Sequence, residues 1–339
     1  MYVFDWEQIK VISTRRVWNG VRVLGSYYLS VLMRTAFVSG YPLVLSIEPT
    51  NYCNLKCPQC PTGMGILNRP QGYMSFAVFR QIIDAMSDYL VTAQFFFQGE
   101  PLLNTHLPEM IEYAKRKNIY TITSTNGQLL TESLTSTLCE SGVDAIIIGI
   151  DGADAKIYQS YRRGGSFEAV IEGILRLQQW KKQHKQKHPK LCLQFIALKN
   201  NEQHIPAIKQ LGNELGADKV LIKTAQIYNK SSIARVDEFL PDNPSLSRYV
   251  KTSDGIRLKS RIPNRCRRLW TNAVYTWDGR LVSCCFDKDA EYTFGICDGT
   301  PFQSLWKSSY AVQFRRQILK NRSVIPMCTN CTEGIREFL

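Results

Sequence analysis

Histidine is scarce in this chain: four residues in 339, at positions 106, 184, 188 and 204. None lies near the first cluster of cysteines, so a zinc site completed by imidazole finds no donor there. Acidic residues are also short, 29 Asp and Glu against 42 Lys and Arg, which leaves a formal charge of +13. A basic excess points to nucleic acid, anionic membranes or acidic substrates. The densest basic run, residues 181–188, has no aromatic side chain interleaved for base stacking, so nucleic acid is not the expected partner and a solvated helix end is. Long apolar stretches are missing too. The uncharged run between Arg22 and Arg34 has eleven residues, well short of the about 20 that a membrane span needs. The first ten residues carry acids and no apolar signal core, and no internal repeat or long low-complexity tract occurs. Eleven cysteines without a secretory signal are expected as reduced thiols in the cytoplasm rather than as disulfides.

Those cysteines are patterned. Cys53, Cys57 and Cys60 are spaced C-x3-C-x2-C directly after an apolar run at 43–47 that reads as a buried strand. Three thiolates on one short loop can hold three irons of a [4Fe–4S] cubane, which normally takes four cysteines. The fourth iron is then open to another ligand. Zinc is the competing occupant and would need one more Cys or His close by. Downstream, apolar runs at 94–97, 120–123, 145–150, 191–197 and 219–222 read as further strands. Between them, helical periodicity marks residues 76–89, 107–117, 132–140, 167–182 and 205–215, with Ser166 set to cap the fourth. Strands alternating with helices predict an α/β fold with parallel strands, either a barrel or a doubly wound sheet.

On these residues the chain resembles the radical S-adenosylmethionine (SAM) enzymes, whose signature is this C-x3-C-x2-C. The resemblance implies an incomplete (β/α)6 TIM-like barrel over residues 41–228, with ligands at the carboxyl ends of its strands. It implies that Gln98-Gly99-Glu100 stands where the family has Gly-Gly-Glu and meets the SAM amino group, Gln98 being the departure. It further implies that Ser124 and Asn126 serve the ribose, that Asp151 orients SAM or substrate, and that Arg163 pairs with the SAM carboxylate. For Asp151 a helix cap is the alternative. The implied chemistry is chelation of the open iron by SAM, one-electron cleavage to a 5′-deoxyadenosyl radical, and hydrogen abstraction from a substrate. The electron would come from a partner such as flavodoxin or ferredoxin.

A second cysteine set closes the chain. Cys266, Cys284, Cys328 and Cys331 surround a hairpin signal at Trp277-Asp278-Gly279. The set resembles the SPASM/twitch extension of radical SAM enzymes, which implies one auxiliary [4Fe–4S] cluster in a small C-terminal α+β domain at 264–339. A structural zinc is the alternative, and Cys285 competes with Cys284 as ligand. Cys297, Cys139 and Cys192 read as structural. Residues 229–263, rich in Pro, Asp and Asn, read as a linker. Residues 1–40 form a basic extension expected to contain an amphipathic helix, packed on the main domain or touching an anionic membrane as a peripheral contact. The reaction expected from the resemblance is dehydrogenation of a small-molecule or lipid-like metabolite. A crosslinking peptide maturase, or a non-enzymatic iron–sulfur or zinc module binding RNA, are the competing readings.

Overall fold

The computed structural model describes residues 6–227, 239–253 and 255–332. Each strand expected from an apolar run is present: β1 Val44–Ile47, β2 Thr92–Phe95, β3 Tyr120–Thr125, β4 Ala145–Gly149, β5 Lys190–Ala197 and β6 Lys219–Thr224. The helices between them are α3 Phe76–Met86, α4 Leu107–Arg116, α5 Glu132–Glu140, α6 Ala155–Tyr161, α7 Phe167–Gln183 and α8 Ile205–Glu214. Ser166 caps α7, its hydroxyl accepting from the Ala169 amide at 3.1 Å. Helix α6 has no apolar run to announce it; Asp154 starts it by accepting from the Ile157 amide at 2.9 Å.

The chain divides into two compact units, and the division runs through β3. One contains residues 1–52, 67–122 and 262–334. Within it β1 pairs parallel with β2 on one side and with β9, Asn272–Tyr275, on the other. Strand β10, Arg280–Val282, folds back antiparallel on β9, and β11, Thr293–Ile296, continues antiparallel on β10. The hairpin expected around Trp277-Asp278-Gly279 is the β9–β10 turn, with Gly279 at φ +78°. Strand β9 is fully buried and apolar except for its first residue, which suits pairing with a buried β1. The last long helix, Ser309–Asn321, is fastened by Arg315. Its buried guanidinium donates to the carbonyls of Leu269 at 2.8 Å and Trp306 at 2.9 Å, with the Trp306 ring 4.2 Å away.

The other unit contains residues 53–66 and 123–261 among its described parts. Here β4, β5 and β6 pair parallel in that order. Residues 244–258, read from composition as linker, hold an antiparallel hairpin of β7, Tyr249–Thr252, and β8, Gly255–Leu258. Its apolar side packs Tyr249, Ile256 and Leu258 against Ile227 and Leu240. Alternation over four-residue strands is too short to outweigh the Pro and Asp density around it.

In the N-terminal segment a short helix α1, Glu7–Lys10, precedes α2, Thr14–Met33. Helix α2 packs on its own unit: the Arg16 guanidinium donates to the carbonyls of Val11, Ser87, Lys117 and Asn118. Among the described residues no helix is long and apolar enough to cross a membrane.

Candidate functional site

The loop after β1 carries the first three thiols. Cys57 is buried with Leu55, Tyr161, Leu198 and Ala225, and Cys53 and Cys60 pack half-buried against that cluster. The loop is held by its backbone: the Lys56 amide donates to the Arg163 carbonyl at 2.9 Å, and the Cys60 amide to the Cys57 carbonyl at 3.2 Å. Asn126, just past the end of β3, points its amide to Asn54 Oδ1 at 2.7 Å and lies 4.0 Å from Cys53 Sγ. Ser124 is half-buried at the same strand end. Asn126 thus touches the thiol loop itself, a contact beyond the ribose role implied by resemblance.

Asp151, two residues past the end of β4, is fully buried, and it does not cap the following helix, which is Asp154's task. Its carboxylate instead accepts from Arg162 Nε at 2.6 Å and from the Ile196 amide at 2.6 Å. Gly149 makes room for this pair: a Cβ there would sit 2.1 Å from Arg162 Nη2. Burial works against the Arg162 charge, but Asp151 and the neighbouring Cys57 hold the guanidinium protonated, above its ordinary range. Arg163, the residue singled out from the sequence, is exposed and contributes its carbonyl to the loop. Arg162 is the inward guanidinium. The end of α6 decides which of the two adjacent arginines turns in, and no spacing rule reveals that.

Burial pushes the Cys57 thiol up to about 12, with the Arg162 guanidinium pulling the other way. Such a thiol ionises only when a metal centre takes its sulfur. Three thiols on one loop, with a fixed cation alongside, fit three corners of an anionic iron–sulfur cubane.

In the other unit, Gly99 follows Gln98 at φ +75°, and a Cβ on it would lie 2.4 Å from the Thr50 carbonyl and 2.6 Å from that of Tyr52. Only glycine fits there. The Glu100 amide donates to the Tyr52 carbonyl at 2.7 Å, and its buried carboxylate accepts from the Leu102 amide at 3.2 Å. Gln98 is buried and donates to the Phe97 carbonyl at 2.8 Å. The Gln98-Gly99-Glu100 turn therefore grips the backbone immediately before Cys53.

A buried ion pair in this unit has no counterpart in the sequence reading. Glu48, at the end of β1, is fully buried and meets Arg69 in a fork, Oε2 to Nη1 at 2.7 Å and Oε1 to Nη2 at 2.5 Å. Arg69 Nε also donates to the Lys288 carbonyl at 2.6 Å, and the Trp277 amide donates to Glu48 at 3.1 Å. Desolvation raises the Glu48 pKa even against Arg69. The fork ties β1 to the C-terminal hairpin. The only sequence signal was a Glu ending an apolar strand.

The second thiol set converges. Cys266, Cys284, Cys285, Cys328 and Cys331 line one cavity together with Arg268, Arg322 and apolar side chains such as Leu269 and Phe314. Burial pushes the Cys328 thiol up to about 11 while Arg322 pulls it down, and the Cys284 thiol is raised well above its ordinary value by burial and by Cys285, Cys331 and Cys266. Cys285 Sγ accepts from Arg268 Nη1 at 3.2 Å and packs beside Val274, Val282 and Ala290. Cys297 lies off the cavity, its thiol 3.6 Å from Gln81 Oε1, and Cys139 and Cys192 are buried in the core. Among the described residues no three His, Cys, Asp or Glu side chains close to the spacing of a single metal ion. The thiol donors that line the cavity fit a polynuclear iron–sulfur centre.

Comparison with known proteins agrees. The model of the radical SAM superfamily matches residues 47–182, and that of an iron–sulfur cluster-binding domain, SPASM, matches residues 266–332. The chain is 23% identical over 317 residues to the tungsten-containing aldehyde ferredoxin oxidoreductase cofactor-modifying protein of Pyrococcus furiosus, covering 85% of this chain and 86% of the relative. Streptococcus suis SuiB bound to precursor peptide SuiA superposes with a TM-score of 0.62 at 14% identity, over 93% of this chain and 75% of SuiB. BtrN in complex with AdoMet and 2-DOIA gives 0.52 at 18% identity, over 88% of this chain and 95% of BtrN. These likenesses establish the partial α/β barrel that the resemblance implied, where the alternation of strands and helices had left a doubly wound sheet open.

Proposed function

Because the chain is a radical SAM protein with a C-terminal SPASM iron–sulfur region, we propose that it is an oxidoreductase dehydrogenating a small-molecule or lipid-like metabolite. SAM and the [4Fe–4S] cluster of the radical SAM domain supply one-electron chemistry that removes a hydrogen atom from the substrate. Cys53, Cys57 and Cys60 hold three corners of that cluster and leave the fourth for SAM. Arg162, fixed by Asp151, sets a permanent positive charge beside Cys57, and Asn126 steadies the loop through Asn54. Gln98, Gly99 and Glu100 serve the SAM amino group through the turn against Tyr52, and Ser124 and Asn126 the ribose.

Cys266, Cys284, Cys328 and Cys331 hold the auxiliary cluster. The observation that carries the reading is their convergence: four thiols from three separate segments line one cavity, which suits a cluster ligated at every corner and thus confined to electron transfer. Once bound, the auxiliary cluster would supply an electron acceptor beside the hydrogen-abstracting chemistry of SAM, so that a substrate losing a hydrogen atom and a proton would be oxidised by two electrons overall. A flavodoxin or ferredoxin returns an electron for the next cleavage. Eleven free thiols among the described residues suit the cytoplasm.

The second reading is a crosslink formed on a ribosomal peptide, which the likeness to peptide-bound SuiB favours. The test is anaerobic reconstitution with SAM, dithionite and candidate substrates. A metabolite 2 Da lighter, formed with 5′-deoxyadenosine, supports dehydrogenation; the same loss on a precursor peptide alone selects the second reading.

A further inference from the structure

Helix α2 is amphipathic with its faces reversed. Facing the protein are Arg16, Asn19, Val23, Ser26, Tyr27 and Ser30, all buried. Their polar groups are satisfied: Arg16 by four carbonyls, Asn19 by the Tyr41 amide at 2.8 Å and carbonyl at 2.9 Å, and Ser30 by the Ser26 carbonyl at 2.6 Å and the Phe37 amide at 2.9 Å. Facing out are Val17, Trp18, Val21, Tyr28, Leu29 and Leu32, with Trp18 65% and Leu32 79% exposed. At 100° per residue these six fall within an arc of about 120°. Upstream, Trp6, Ile9 and Ile12 are exposed as well. A water-facing helix normally shows the opposite arrangement.

Along the helix itself the charge has one sign, although Arg15 is paired across to Asp88 at 2.7 Å. From Gln8 to Ile47 the chain has no acidic residue, while Lys10, Arg15, Arg16, Arg22 and Arg34 are basic. Arg15, Arg22 and Arg34 are exposed, and the first two border the apolar arc. Apolar and aromatic side chains edged by arginine match the boundary between headgroups and acyl chains of an anionic bilayer. A second copy would fit poorly, because an isologous contact sets arginine against arginine with no acid on the helix to answer it.

We propose that the outer face of α2 is a docking surface for anionic lipid, seating the protein on the membrane interface without crossing it. The full-length reconstituted protein is tested by co-sedimentation with vesicles of phosphatidylcholine alone and with added phosphatidylglycerol. Binding is expected only to the anionic vesicles, weakening with salt. Trp18→Ser/Leu32→Ser is expected to weaken it at least about tenfold, and Arg22→Gln/Arg34→Gln by about fivefold per charge. These positions are exposed, so the melting temperature should hold. Trp18 emission should shift to the blue and be quenched by brominated lipid, and Trp18→Phe should remove that signal. No binding to either vesicle, equal binding to both, or binding that survives the Trp18 and Leu32 substitutions overturns the proposal. So does a dimer broken by those substitutions in a protein that ignores vesicles. Vesicle binding and SAM cleavage are separate readouts, so either can fail alone.

Discussion

Cys53, Cys57 and Cys60 lie within eight consecutive residues of one loop, whereas Cys266, Cys284 and the Cys328/Cys331 pair are drawn from three places along 66 residues. The loop thiols are positioned locally, by the loop's own amides and by the ends of β3, β4 and α6. The cavity thiols meet only because β9 and β10 form a hairpin and the segment after helix Ser309–Asn321 returns to it. One set buries only Cys57 and leaves Cys53 and Cys60 partly open; the other buries Cys266, Cys328 and Cys331 and leaves only Cys284 partly open. An open set of three suits a cluster that binds a second molecule, and an enclosed set suits one that only passes electrons.

Substituting one cysteine in each set should separate those roles. Cys57→Ala should abolish 5′-deoxyadenosine formation and remove about half of the iron. Cys328→Ala should also lose about half of the iron, yet keep SAM cleavage within a few-fold of the parent while substrate oxidation stops. Quantifying iron, 5′-deoxyadenosine and oxidised product on one preparation reads all three. SAM cleavage surviving Cys57→Ala, or disappearing with Cys328→Ala, would dissolve the division.

The same contrast explains what could be read before the structure. Contiguous ligands announce themselves by spacing, and apolar runs such as Ala145–Gly149 announce strands. Pairing of β9 with β1 joins residues far apart in the chain, so the place of the C-terminal hairpin beside β1 was not legible. Nor was the choice of Arg162 over Arg163, or the partnership of Glu48 with Arg69, because both depend on where side chains turn after folding. Residues 244–258 misled for another reason: proline and aspartate mark loops on average, and here they bracket a small hairpin.

Two buried ion pairs sharpen the comparison next. Replacing Arg69 or Arg162 with Met strands a buried carboxylate, Glu48 or Asp151, both fully inaccessible to solvent. Each change should cost about 3–5 kcal/mol of stability, measurable by denaturant unfolding of the anaerobic protein. Restoring neutrality with Glu48→Gln/Arg69→Met should recover part of the loss. Only Arg162 lies beside Cys57, so only Arg162→Met should change the reduction potential of the loop cluster in an EPR-monitored titration. The loss of a nearby positive charge should make it lower. An equal change from Arg69→Met would mean that the effect is general loosening.

The smallest effect concerns the adjacent cysteines of the cavity. Cys284 and Cys285 both line it, just past the end of β10, but they have different neighbours. The surroundings of Cys284 include Cys331 and Cys266. Cys285 is engaged differently, accepting from Arg268 at 3.2 Å and packing on Val274, Val282 and Ala290. Cys284→Ala should therefore strip the auxiliary cluster and its iron. Cys285→Ala should keep the full iron content and lose only a charge-assisted hydrogen bond, about 1–3 kcal/mol. Iron analysis with Mössbauer spectra of the two variants decides it. If Cys285→Ala loses the cluster and Cys284→Ala keeps it, the fourth corner belongs to Cys285, and the arginine contact is then a hydrogen bond to a ligand sulfur that would tune the auxiliary potential instead of packing the wall.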